Sequence, residues 1–231
     1  MKKLFLLAIT LSSAASALAQ GTVIFNNRSG GTSHVYAPLS STDTTRIVGQ
    51  ASNDSQPAGV DYGGRAAIGA SGPSAQYGGF TTMSQLLGAP GADAPESSLV
   101  PQIGPAVFFR TGTAAGGTFN ATATFSNIPK DAPVGSFEMV AWDNYSGLYP
   151  SWAQASVAWL AGLIAAGKSP EFDLTALGGD INVPQTLFNT LNGAPGNGGV
   201  QSFNLYFIPE PTLAALAGLG ATTLLIFRSR K

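Results

Sequence analysis

The clearest pattern of apolar and polar positions lies at residues 118–125. Phe119, Ala121, Ala123 and Phe125 alternate there with Thr118, Asn120, Thr122 and Thr124. A period of two, with threonine on the polar side, predicts a half-buried antiparallel strand. Residues 136–142 predict another, with Phe137, Met139 and Ala141 on one face and Glu138, Val140 and Trp142 on the other. The segment between them, from Ser126 to Pro133, is rich in turn residues. Phe203, Leu205 and Phe207 alternate with Ser202, Asn204 and Tyr206, which predicts a last strand over 200–208. Shorter candidates are 21–27, 34–36, 46–48, 80–83 and 106–111, where β-branched and aromatic residues gather.

Helical spacing occurs at Trp152, Ala155, Trp159, Leu160, Leu163 and Ile164 and predicts one helix near 152–166. Ser151 and Gln154 match a capping box, and Pro150 stops the segment before it. Gly167, Lys168 and Pro170 are its expected end, as cap, dipole partner and breaker. The stretch carries no charge between Trp152 and Gly167, so it is expected to be buried against the sheet. A second membrane span is the rival reading, weakened by a short apolar core. A short helix is also expected at 83–87. Gly- and Pro-rich stretches at 61–79, 88–105 and 177–199 are expected to be surface loops. Short strands, Gly/Pro turns and one helix predict a mainly β domain, a β-sandwich of jelly-roll or immunoglobulin-like type.

The two ends of the chain read differently. Lys2 and Lys3 precede an apolar run from Leu4 to Leu11, and small residues close with Ala17-Leu18-Ala19. This is the three-region order of a secretory signal peptide, residues 1–19, with cleavage expected between Ala19 and Gln20. Residues 212–227 are uncharged and mostly Leu and Ala, and Arg228, Arg230 and Lys231 follow at once. Sixteen residues at ~1.5 Å each fall short of a ~30 Å hydrocarbon core. Snorkelling cations and local thinning close that gap, so a transmembrane helix is expected over 212–227. The rival reading of each end is a buried helix. No linker divides residues 20–208, which are expected to form one exported β-rich domain.

Charge sharpens this division. The whole chain of 231 residues has a formal net charge of −1. Residues 1–19 and 209–231 each contribute +2, whereas 20–208 hold six basic and eleven acidic residues and stand at −5. The cations at both ends favour cytoplasmic termini and an acidic middle across the membrane.

Pro209-Glu210-Pro211, an apolar helix and the basic tail together resemble the PEP-CTERM sorting signal of Gram-negative bacteria. The tail Arg-Ser-Arg-Lys departs from the longer arginine run of that pattern. The resemblance covers residues 209–231 and implies a route. Pro209, Glu210 and Pro211 would be recognised by an exosortase-type enzyme. The protein would be anchored in the inner membrane until processed, then released or attached at the cell surface among exopolysaccharides. Gly21 to Arg28, Phe109-Arg110-Thr111-Gly112, Val140-Ala141-Trp142-Asp143 and Gln201 to Leu205 are similar to secreted PEP-CTERM proteins of the Verrucomicrobia and relatives. That likeness implies a fold class and no chemistry.

The residue inventory narrows the chemistry. There is no Cys and one His, which leaves no thiol catalysis, disulfide or multi-His metal site. His34 is the sole imidazole, and no Gly-x-Ser-x-Gly elbow accompanies it. The central acids form no recognisable pair for glycoside hydrolysis. Asp143-Asn144-Tyr145-Ser146-Gly147 offers oxygen ligands, but Ala153 stands where an EF-hand needs Glu, so an Asx-type turn is expected. Trp142, Tyr145, Tyr149 and Trp152 cluster in sequence. They are candidates for glycan contact, or else they pack the helix onto the sheet. The acidic middle argues against nucleic acid. The expected function is thus a non-enzymatic envelope or matrix protein, structural or adhesive, with no cofactor or metal. A carbohydrate-binding module using residues 142–152 is the alternative, and a glycan-active hydrolase the third reading.

Overall fold

The computed structural model describes residues 20–55, 58–189 and 199–209. The expected signal peptide, transmembrane helix and basic tail lie outside these residues. Among the described residues, no helix is long and apolar enough to cross a membrane. The described residues are mainly β, with several sheets and one α-helix among them.

The largest sheet is built on two long strands, β3 (Thr82–Pro90) and β7 (Val134–Asp143), whose antiparallel ladder runs from Thr82 opposite Asp143 to Pro90 opposite Gly135. β4 (Val100–Pro101) and β5 (Val107–Phe108) pair with the outer side of β3. β8 (Ala166–Lys168) and β9 (Phe172–Thr175) pair with the outer side of β7. A second sheet has β1 (Gly21–Phe25) at its centre. β6 (Ala121–Phe125) runs antiparallel to it on one side, and β10 (Gln185–Thr186) parallel on the other. A third, small sheet joins β2 (Val35–Tyr36) to β11 (Phe203–Asn204) in parallel.

The period of two decides which side chains meet. Phe137, Met139 and Ala141 of β7 share a core with Leu86 of β3, Val23 and Phe25 of β1, and Ala123 and Phe125 of β6. The opposite faces of β3 and β7 send Met83, Leu87, Val140 and Trp142 into a second core beneath helix α1 (Trp152–Leu160). The β3–β7 ladder is therefore buried on both faces, and one continuous layer of backbone separates the two cores. Gly88 of β3 is required by this packing. A Cβ there would lie 2.8 Å from the Phe137 ring and 2.9 Å from that of Phe125.

Several expectations change. The helix ends at Leu160, not near 166. Gly162 adopts φ 72° and turns the chain, and its N–H bonds the Trp159 carbonyl. Gly167 is no cap but a strand residue, where the Asn204 carbonyl leaves no room for a Cβ. Ser151 does not cap the helix backbone; its hydroxyl bonds Gln154 Oε1 at 2.9 Å. Residues 83–87, expected to be helical, lie in β3, because long-range pairing with β7 overrides a short local preference. Strand β6 starts at Ala121, so Phe119 stands exposed outside the alternation.

Candidate functional site

The outward face of β7 carries one residue that the strand's composition does not explain. Glu138 sits between Phe137 and Met139, the one charge in β7 before its terminal Asp143. It is 3% exposed, and its Oε2 has no hydrogen-bond partner. Lys168 enters from β8, whose register places it opposite Val140. Its Nζ stands 3.5 Å from Glu138 Oε2 and also pairs with Glu96, at the start of the 3₁₀ turn Glu96–Ser98. The same ammonium lies 5.6 Å from the centre of the Trp152 ring.

Helix α1 supplies one wall. Trp152 and Trp159 are about two turns apart on one face of the helix, and their ring centres are 5.9 Å from each other. Tyr206, beyond β11, meets Trp159 edge-on at 5.3 Å, and its carbonyl accepts the Trp159 indole N–H at 3.0 Å. Arg46, Ser156, Leu160 and Ile208 complete a cavity of about 380 Å³. A cavity of this size, with aromatic walls and a few converging polar groups, has the make-up of a small-ligand site.

The electrostatics follow from burial. Loss of solvent pushes the Glu138 carboxyl up to about 7; Lys168 opposes this, while Glu96 and Glu171 add to it. Burial alone would lower the Lys168 ammonium, but Glu96 and Glu138 outweigh it and hold the group above the usual lysine value. Burial likewise raises the Tyr206 phenol. Glu138 binds its proton more tightly folded than unfolded, so its contribution to stability is complete below pH 4.5 and is lost as pH rises to about 7. At 1.36 kcal/mol per unit the loss is about 3 kcal/mol. Denaturant unfolding at pH 5 and pH 8 should therefore show wild type losing about 2–3 kcal/mol more than Glu138→Gln. Parallel losses in the two proteins would show that Glu138 is not the titrating group.

The four aromatic residues singled out in the sequence do not form one open platform. Trp142 is fully buried beneath α1, and its indole N–H bonds the Tyr149 carbonyl at 2.7 Å. Trp152 is 7% exposed and stacks beside Trp142, Tyr149 is half-buried, and Tyr145 is 60% exposed. The hydrophobic demand of the helix–sheet contact takes three of the four rings. Asp143 forms the expected Asx turn: its Oδ1 accepts the Tyr145 N–H at 2.8 Å, and its Oδ2 accepts from Gln76. Tyr145 and Tyr149 border a separate cavity of about 250 Å³ beside that turn.

His34 does meet an acid and a serine, but in the wrong order for catalysis. Its Nδ1 lies 2.6 Å from Asp54 Oδ1, and Ser202 Oγ donates to Asp54 Oδ2 at 2.6 Å. The serine thus bonds the carboxylate, not the imidazole, and it is fully buried. A nucleophile needs its base within hydrogen-bond reach and an open approach. Among the described residues, no group of three His, Asp or Glu side chains is placed to hold a metal ion.

Of the expected processing residues, Pro209 is exposed and Gln20 is half-buried at the entry to β1. Ala17, Ala19, Glu210, Pro211, Arg228, Arg230 and Lys231 lie outside the described residues. The cavity around Glu138 was missed in the sequence, where its lining is scattered from Arg46 to Ile208. The available signal was a lone carboxylate inside an apolar strand run. No family model matches this chain, and neither a curated protein nor a solved structure matches it.

Proposed function

We propose that this chain is an exported cell-envelope or extracellular-matrix protein with a structural or adhesive, non-enzymatic domain. Residues 1–19 take it across the inner membrane, and signal peptidase cleaves before Gln20. Residues 212–227 anchor it there until an exosortase-type enzyme acts near Pro209-Glu210-Pro211. One observation carries this reading: the consecutive Pro-Glu-Pro, apolar run and cationic tail downstream of a signal-peptide pattern. An exposed Pro209 supports it, since a processing enzyme needs access to the motif. We read the β-rich body as a sandwich of jelly-roll or immunoglobulin-like type. The shared core of β1, β6, β3 and β7 supports that, with β10 and β11 as parallel additions.

Replacing Pro209-Glu210-Pro211 by alanines should leave full-length protein in the inner membrane fraction on immunoblots. Delivery of normal-sized product to the medium would rule the sorting route out.

A carbohydrate-binding role for this domain is favoured by the wall of Trp152, Trp159 and Tyr206 around Glu138. The hydrolase reading lacks such support. Both carboxylates of the cavity, Glu96 and Glu138, face the one Lys168 ammonium rather than each other across an open cleft.

A further inference from the structure

We infer that the cavity between helix α1, strand β7 and the Tyr206–Ile208 segment binds a neutral, hydroxyl-rich sugar ring, with Glu138 Oε2 as the acceptor at its floor. This deepens the carbohydrate-binding reading and is independent of the sorting route.

Three observations carry it. The first is the unpartnered oxygen. A buried polar atom without a hydrogen bond is costly, and native proteins retain few of them. Glu138 Oε2 is such an atom: Glu138 lines the cavity, and this oxygen is held only by its ion pair with the Lys168 ammonium at 3.5 Å. A ligand hydroxyl is the simplest donor for it. The second is the charge balance. Arg46 and Lys168 face Glu96 and Glu138 across one cavity, so two cations meet two carboxylates. An anionic ligand would meet the carboxylates, and a cationic one would compete with Lys168. A neutral ligand rich in both donors and acceptors uses all four. The third is the wall. Trp152 and Trp159 are largely buried, so their exposed edges, with Tyr206 and Ile208, give the cavity an apolar wall for the C–H groups of a sugar, while Ser156 supplies a further hydroxyl.

Of the aromatic cluster at residues 142–152, this cavity takes only Trp152. Tyr145, the one open ring of residues 142–152, borders the other cavity, beside Asp143. The two sites can therefore be separated by mutation.

The test uses the full-length chain in detergent. Titration calorimetry would be run against neutral glucose, galactose and mannose hexasaccharides and against an oligouronate of equal length. Binding of at least one neutral oligosaccharide is expected, weakened about tenfold or more by Glu138→Gln, whose side chain keeps the shape but not the charge. Arg46→Ala, at an exposed position, should weaken binding several-fold without loss of fold by circular dichroism. Tyr145→Ala should leave affinity unchanged. Failure of every neutral oligosaccharide to bind overturns the proposal, as does preference for the oligouronate. So does loss of binding in Tyr145→Ala with Glu138→Gln unaffected, which moves the site to the Asp143 turn. None of these outcomes bears on processing at Pro209-Glu210-Pro211.

Discussion

Trp142→Ala is expected to destabilise the domain by about 3–5 kcal/mol, the range for removing a large aromatic from a packed core. Trp142 is fully buried at the C-terminal end of β7 and links three elements. Its ring lies 5.9 Å from that of Trp152 on α1, its strand neighbour across the ladder is Met83, and its backbone partner on the other side is Ala166. Alanine would leave a cavity under the helix and strip the Tyr149 carbonyl of its indole donor. α1 is nine residues long, too short to persist by propensity alone, so its docking depends on this contact. Urea unfolding followed by tryptophan fluorescence and far-ultraviolet circular dichroism measures the loss. A cost below about 1 kcal/mol would mean that the helix is held by other contacts.

Asp54→Ala is expected to cost a similar amount, about 3–5 kcal/mol, because it breaks a buried charged network. Asp54 is the centre of that network. His34 Nδ1 lies 2.6 Å from Oδ1, and Oδ2 accepts the Ser202 hydroxyl at 2.6 Å and the Ala51 N–H at 2.5 Å. Ser202 Oγ in turn accepts the His34 backbone N–H at 2.6 Å. The carboxylate thereby ties the loop around residue 54 to the starts of β2 and β11, which lie 168 positions apart in the chain at His34 and Ser202. Alanine leaves a hydroxyl, an imidazole and a backbone N–H buried without their acceptor, and each is penalised separately. Asp54→Asn keeps one acceptor oxygen and should fall between wild type and alanine. Thermal melts should show a drop on the order of 10 °C for the alanine variant. An unchanged melting temperature would mean that water replaces the carboxylate.

Much of this was legible locally. The alternation in 118–125 and 136–142 marks strands because side chains of one strand must divide between two faces, and that rule acts within a few residues. The Asx turn at Asp143 and the start of α1 after Pro150 are equally local. Strands of two to four residues, such as β8 and β10, leave no readable period and exist only through their partners. The same holds for β3. Its residues carry no consistent alternation, since both of its faces are buried and neither had to be polar.

The aromatic residues show the same division. The sequence marks Trp142, Tyr145, Tyr149 and Trp152 as a cluster, but only packing determines which ring is open. Three are drawn into the helix–sheet contact, and the ring that lines the Glu138 cavity beside Trp152 is Trp159, with Tyr206. In the sequence Glu138 reads only as one residue on the second face of its strand, and its character depends on Lys168, Glu96 and Arg46, brought to it from three other segments. By itself the sequence determined the strand-rich class, the uneven charge and the two apolar ends, because each depends on neighbours along the chain. Tertiary structure alone decided the ends of the helix, the burial of Trp142, the His34–Asp54–Ser202 network and the Glu138 cavity. Burial and charge pairing depend on what lies across space, and chain spacing does not encode that.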